Sequence, residues 1–161
     1  MINYRLLSTK ELEPLKEDFI QFLATNSITG EDWEKIKSNQ IEQANRILKL
    51  FSNLVWKKSI EKIQFLENRD RKYVKVFNCK ENYVSMVGFS VNSKNAPSLM
   101  DPKTFENLAS GLIPFSSLKP EFISSKKNYI QSRCQEVYKL IQAGCVPCDE
   151  SYYYGIKSLI K

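Results

Sequence analysis

Cys145-Val146-Pro147-Cys148 is the one stretch of this 161-residue sequence whose spacing looks like chemistry. A CxxC pair does redox work when a thiolate is stabilised at a helix N-terminus, typically after a strand. Here Cys145 follows a predicted helix end, while Cys148 precedes a predicted helix. As a zinc site the pair would need Cys79 and Cys134 as its other ligands, a weak form of a four-thiolate centre. Cys134 also falls on the apolar stripe of its helix, where a free cysteine behaves as a small hydrophobe. Without a secretory signal, four cysteines read as reduced thiols. Structural packing is preferred over zinc or redox, and no cofactor and no metal ligand is assigned.

The sequence contains no histidine. That excludes Ser-His and Cys-His nucleophile pairs, HExxH zinc proteases and zinc deaminases. Its five glycines form neither GxGxxG nor GxxxxGK[ST], so two common phosphate-cradling loops are missing. Carboxylate acid–base pairs and Ser-Lys arrangements remain open. Glu31, Asp32 and Glu34 around Trp33 could be drawn as an acidic site, but acids favour the first turn of a helix, where they meet its positive end. Tyr152-Tyr153-Tyr154 could be a recognition patch. On a helix the three point in different directions, so at least one belongs to the core and another is partly exposed.

The remaining signal is basic. The formal charge is +6, yet 19 of the 24 basic residues are Lys, beside many Asn and Ile, a bias that an AT-rich genome also produces. Residues 1–35 hold four basic and seven acidic side chains, so the rest of the chain carries the positive excess. Such asymmetry can steer an acidic partner without identifying it. Lys57, Lys58, Lys62, Arg69, Arg71, Lys72 and Lys75 fall close together, followed by Tyr73 and Phe77. Cations neutralise phosphates and aromatics stack on bases, so Lys57, Lys58, Arg69, Arg71, Lys72 and Lys75 are the candidate macromolecule-binding residues. No RNA-recognition signature, zinc finger or GXXG loop accompanies them.

The elements that must position these residues follow from periodicity. From Asn39 to about Asn68, apolar residues recur in steps of three and four: Ile41, Ala44, Ile47, Leu48, Phe51, Leu54, Val55, Ile60, Ile63 and Leu66. With Asn39 as cap and Glu42 at the capping-box position, this predicts a helix roughly 40 Å long. Upstream, Ile2–Leu6 alternates as a short strand. Ser8 with Glu11 and Thr29 with Asp32 are capping boxes for two further helices, and Pro14 marks a restart in the first. Tyr73–Cys79 and Tyr83–Val91, joined by Lys80-Glu81-Asn82, read as a hairpin. Both of its faces are apolar, so a third strand is expected, with Ile2–Leu6 the candidate. Asp101-Pro102 starts another helix that stops by Gly111. A last long helix is predicted from about Pro120 to Gly144, and a final short one from Asp149. The sum is an α+β fold in one domain over 1–161: about five helices, two of them long, with a small antiparallel sheet containing the 73–91 hairpin.

Glu17-Asp18-Phe19-Ile20-Gln21-Phe22-Leu23-Ala24, Ile28-Thr29-Gly30-Glu31-Asp32-Trp33 and Leu50-Phe51-Ser52 resemble an uncharacterised family of small proteins, mostly from Bacteroidota. The resemblance is fainter at Lys139-Leu140-Ile141 and Gly144-Cys145. It implies a stand-alone cytosolic protein and brings no activity or site residues. No stretch approaches the roughly 20 apolar residues of a membrane span, and the start is too polar for a signal, so a cytoplasmic location is expected. The function expected is a non-enzymatic binding or adaptor protein acting through a protein–protein surface. A nucleic-acid accessory role through 57–75 and a small carboxylate or cysteine enzyme are the alternatives. The partner expected is an unidentified macromolecule, protein ahead of nucleic acid and no membrane, with a homo-oligomer allowed.

Overall fold

The computed structural model describes residues 2–160, arranged in two compact units, Met1–Glu61 and Lys62–Lys161. The architecture is α+β: among the described residues, six helices of eight residues or more and one five-stranded antiparallel sheet. No described helix is long and apolar enough to cross a membrane.

The first unit is helical. An extended segment, residues 2–8, leads to a short helix α1 (Thr9–Leu12), a 3₁₀ turn through Pro14, then α2 (Lys16–Thr25), α3 (Gly30–Asn39) and α4 (Ile41–Lys62). Both expected capping boxes form. The Ser8 hydroxyl accepts from the Glu11 N–H and the Thr29 hydroxyl from the Asp32 N–H, while each acid reaches back to its cap. Asp32 therefore serves the helix start, and hydrogen bonding to Thr29 lowers its pKa. The core of this unit is Leu23, Ile36, Ala44 and Ile47, with Phe19, Phe22, Ile28 and Trp33 packed against them. Phe51 closes it, 5.0 Å from Phe19 and 5.3 Å from Phe22 between ring centroids.

The long helix starts later and stops earlier than its periodicity predicts. Asn39 ends α3 rather than capping α4, and Gln40 alone separates the two, its carbonyl accepting from the Ala44 N–H at 3.0 Å. Ile41 and Leu54, expected on the buried stripe, are exposed. Beyond Lys62 the chain turns into strand β1 (Phe65–Arg69). Phe65 and Leu66, one on each face of the sheet, are both buried. The i, i+3 spacing of Ile63 and Leu66 mimicked a helix; pairing with the hairpin overrides it.

The second unit is a sheet of order β4-β3-β2-β1-β5 with three helices. Strands β2 (Tyr73–Cys79) and β3 (Tyr83–Val91) form the expected hairpin, closed by the Lys80 N–H donating to the Tyr83 carbonyl at 2.9 Å. Its neighbours are not the N-terminal segment but β1 and β4 (Pro120–Asn128). The predicted long helix over 120–144 is thus a strand followed by α6 (Arg133–Gln142), and α4 is the only long helix among the described residues. Polar Ser124–Asn128 lacks an apolar stripe, as suits a solvent-facing edge strand. A two-residue strand β5 (Val146–Pro147) lies on the far side of β1. Helix α5 (Pro102–Ala109) starts at Asp101 and α7 (Glu150–Leu159) at Asp149, each aspartate accepting from the N–H two residues on.

One face of the sheet carries Phe65, Val74, Val76, Val87, Phe89 and Val91 into a core completed by Leu99, Leu118 and, from α7, Tyr153 and Ile156. Tyr153 is buried while Tyr152 and Tyr154 are exposed, as three adjacent helical residues require. Gly88 in β3 marks a close approach. A Cβ built there lies 2.5 Å from the Val74 carbonyl oxygen and 3.2 Å from the Lys75 Cα, both backbone. Gly88→Ala should cost roughly 1–3 kcal/mol in urea denaturation by forcing β2 and β3 apart. Gly30→Ala, with nothing near its added methyl, should fall well short of that; equal losses would contradict this account of the pairing.

Candidate functional site

The six candidate basic residues divide between the units. Lys57 and Lys58 are exposed on α4 of the first; Arg69, Arg71, Lys72 and Lys75 sit around the β1–β2 turn of the second. Within that turn the side chains diverge. Arg69 pairs in register with Val74, so it and Lys75 project to opposite faces of the sheet. The Arg69 guanidinium lies 3.9 Å from the Phe105 ring centroid and bonds the Glu67 carboxylate at 3.1 Å. Lys75 stands 5.1 Å from the Tyr73 ring. Arg71 and Lys72 are exposed at the turn, while their carbonyls accept from Leu99 and Val91 at 2.9 and 2.8 Å. Of the four, these two present charge most directly to solvent.

The thiols are packed. Cys79 ends β2 and Cys145 precedes β5, both buried; Cys134 and Cys148 are half-buried. Cys145 and Cys148 flank an extended strand at a separation of three residues, which sends their side chains to opposite faces. Cys148 joins the Phe65 core, whereas Cys145 faces Asn68 and Lys75. Burial pushes Cys79 and Cys148 up to about 11 and raises Cys145 as well, so these three are thiols near neutral pH, the reverse of an activated redox cysteine. Among the described residues no three Cys, Asp or Glu side chains come together as a metal site.

A feature that periodicity did not announce lies in the first unit. The extended N-terminal segment alternates like a strand, yet its backbone bonds to side chains of α4. Lys49 Nζ donates to the Tyr4 carbonyl and Trp56 Nε1 to the Arg5 carbonyl at 3.1 Å. The Leu7 N–H donates to Ser52 Oγ at 3.1 Å. Lys49, Ser52 and Trp56 are spaced i, i+3, i+7, one stripe of the helix. Tyr4 stacks on Trp56, with 6.2 Å between centroids, and is buried. Arg5 lies 4.9 Å over the same indole and grips Glu11 with two bonds of 2.6 and 2.8 Å. That grip, and the Ser8 N–H bonded to the same carboxylate at 2.7 Å, holds Glu11 down at about 2.

Between this segment and α4 runs an open groove of about 750 Å³, lined by Ile2, Asn3 and Leu6 on one side and by Asn45, Arg46, Lys49, Leu50 and Asn53 on the other. Leu6 and Leu50 are 47% and 55% exposed, so about half of each side chain's surface is open to solvent. Arg46, Leu50, Leu54 and Lys57 follow one another along the helix in steps of three and four, so the groove continues onto an exposed α4 face that reaches Lys57. Periodicity carries no signal for it: Leu50 and Leu54 fall within about 120° of helix arc with Ala44, Ile47 and Phe51, so spacing alone places them with the buried stripe.

Over residues 1–161 the chain belongs to the family of unknown function DUF6495. No curated protein and no solved structure matches it.

Glu11 has its pKa depressed in the folded state, so its contribution to stability is present above 4.5 and is lost as the pH falls through about 2. In a Trp33→Phe background, Trp56 emission should change across that window as Arg5 loses its anchor, and Glu11→Gln should abolish the change; a titration unaffected by Glu11→Gln would contradict the anchoring role. For the thiols the sign reverses. The unfolded chain releases the Cys79 proton at about 9 and the folded chain at about 11, so this stability is complete below 9 and fades as the pH rises through 11. Iodoacetamide near neutral pH should leave Cys79 and Cys145 unmodified until denaturant is added, and rapid labelling of native Cys145 would contradict this packing.

Proposed function

We propose that this protein is a cytoplasmic, non-enzymatic binding protein, and that its partner is a protein offering an acidic, amphipathic segment to the groove and open face of α4. The observation that carries the reading is the juxtaposition of exposed Leu6, on the N-terminal segment, with exposed Leu50, Leu54, Arg46 and Lys57 along one face of α4. Apolar anchors in a groove supply affinity, and flanking cations select the sign of the partner and speed its arrival. An amphipathic helix laid into such a groove would present apolar residues at i, i+3, i+4 and i+7. The buried, protonated thiols support the non-enzymatic part of the reading.

A photo-crosslinking amino acid placed at Leu50 of the full chain should capture a protein adduct in living cells, whereas one at Leu112, 74% exposed in the second unit, should not capture the same adduct. Arg46→Glu with Lys57→Glu should weaken that capture roughly tenfold while the thermal unfolding midpoint stays put. Equal capture at both positions, or indifference to charge reversal, would contradict the proposal. A nuclease-sensitive adduct would instead favour the nucleic-acid reading through Lys57, Lys58, Arg69, Arg71, Lys72 and Lys75.

A further inference from the structure

In the second unit the sheet ends on two edges, the two-residue β5 and the nine-residue β4. Strand β4 is exposed along Ser124–Asn128, and its register with β3 runs without a bulge from Val91 opposite Pro120 to Tyr83 opposite Asn128. An edge strand of this length offers a row of backbone donors and acceptors to another strand. Proteins usually blunt such an edge with proline, lysine or a bulge. Here the proline is Pro120, at the strand's first position, where the loss of one N–H costs least. Both lysines are drawn back: Lys126 lies 4.0 Å over the Tyr83 ring and Lys127 bonds Glu136 at 3.6 Å, while remaining 63% exposed.

We propose that a second copy of this chain pairs with the first, β4 against β4 in antiparallel fashion about a two-fold axis, joining two five-stranded sheets into one continuous sheet. This surface belongs to the second unit, and the proposal does not rest on the α4 groove of the first. An isologous antiparallel contact must place one residue opposite its own copy. With Ser124 on the axis, the midpoint of Pro120–Asn128, the whole strand overlaps. That register sets Glu121 opposite Lys127 twice, Phe122 opposite Lys126 twice and Ile123 opposite Ser125 twice. Opposite charges meet and like charges do not, and the lysine stems can cover Phe122. Moving the axis to Ile123 or Ser125 shortens the overlap by two residues and loses the Glu121–Lys127 pairs. Moving it to Lys126 sets that lysine against itself. Length and charge complementarity select the same register.

Sedimentation of the full chain should give a doubled mass. Ile123→Lys with Ser125→Lys puts like charges opposite each other on both sides of the axis and should return the protein to a monomer with an unchanged circular dichroism spectrum. Ile123→Glu with Ser125→Lys alters the same positions but restores attraction, and should restore the dimer. Independently, Ser124→Cys faces its own copy at the 4.5–5.5 Å Cα separation of an antiparallel pair, so mild oxidation should link two chains where the parent protein is not linked. A monomeric parent, a dimer indifferent to both double variants, or an unlinked Ser124→Cys would each overturn the proposal.

Discussion

Three side chains on one stripe of α4 do for the N-terminal segment what a neighbouring strand would otherwise do. Lys49 and Trp56 donate to the carbonyls of Tyr4 and Arg5, and Ser52 accepts from the Leu7 N–H. Tyr4 is buried while Arg5 and Leu6 are exposed, so the segment lies half-buried on the helix, and side chains of α4 take the place of a ladder for the backbone groups that face it. The solution consumes one face of α4, while Ala44, Ile47 and Phe51 consume another against α2 and α3. What is left is the face bearing Arg46, Leu50, Leu54 and Lys57. The groove is a consequence of how the segment is held.

The second unit is tied together by a different device. Arg133, the first residue of α6, donates from Nε to the Lys80 carbonyl at 3.2 Å and from Nη2 to the carbonyls of Cys79 and Ile63. Tyr129 adds a hydroxyl bond of 2.9 Å to the Lys80 carbonyl. One guanidinium thus joins the approach to β1, the end of β2 and the hairpin turn, a task its planar fork of donors suits and a lysine ammonium does not. The same neighbourhood buries Cys79, and burial keeps its thiol protonated. Both the cation and the thiol are thus part of the packing that holds β1, β2 and α6 together.

The fold was legible where local chemistry decides. Ser8, Thr29, Asp101 and Asp149 announce helix starts through hydrogen bonds within a few residues, and the 73–91 hairpin shows its β-branched alternation and polar loop. It was illegible where tertiary pairing decides. Phe65–Arg69 continues a helical spacing but is claimed by β2, and Pro120–Asn128 is too polar to advertise a strand until β3 is beside it. Ile2–Leu6 is extended, as its alternation predicts, but lies on α4 and not in the sheet, because alternation reports a conformation and not its partner. The basic segment was legible as composition alone: charge counts could not show that Arg69 is spent on Glu67 and Phe105. The α4 groove was hidden for the same reason, since it exists only once the segment has docked.

Amide hydrogen exchange at Leu7 tests this arrangement most directly. Slow exchange is expected in the native protein, because that N–H is held by Ser52 Oγ, and much faster exchange in Ser52→Ala while the amides of α2 and α3 keep their protection. Exchange at Leu7 already as fast as in an unfolded chain would mean that the segment is not held against α4, and the groove with the binding role proposed for it would go with it.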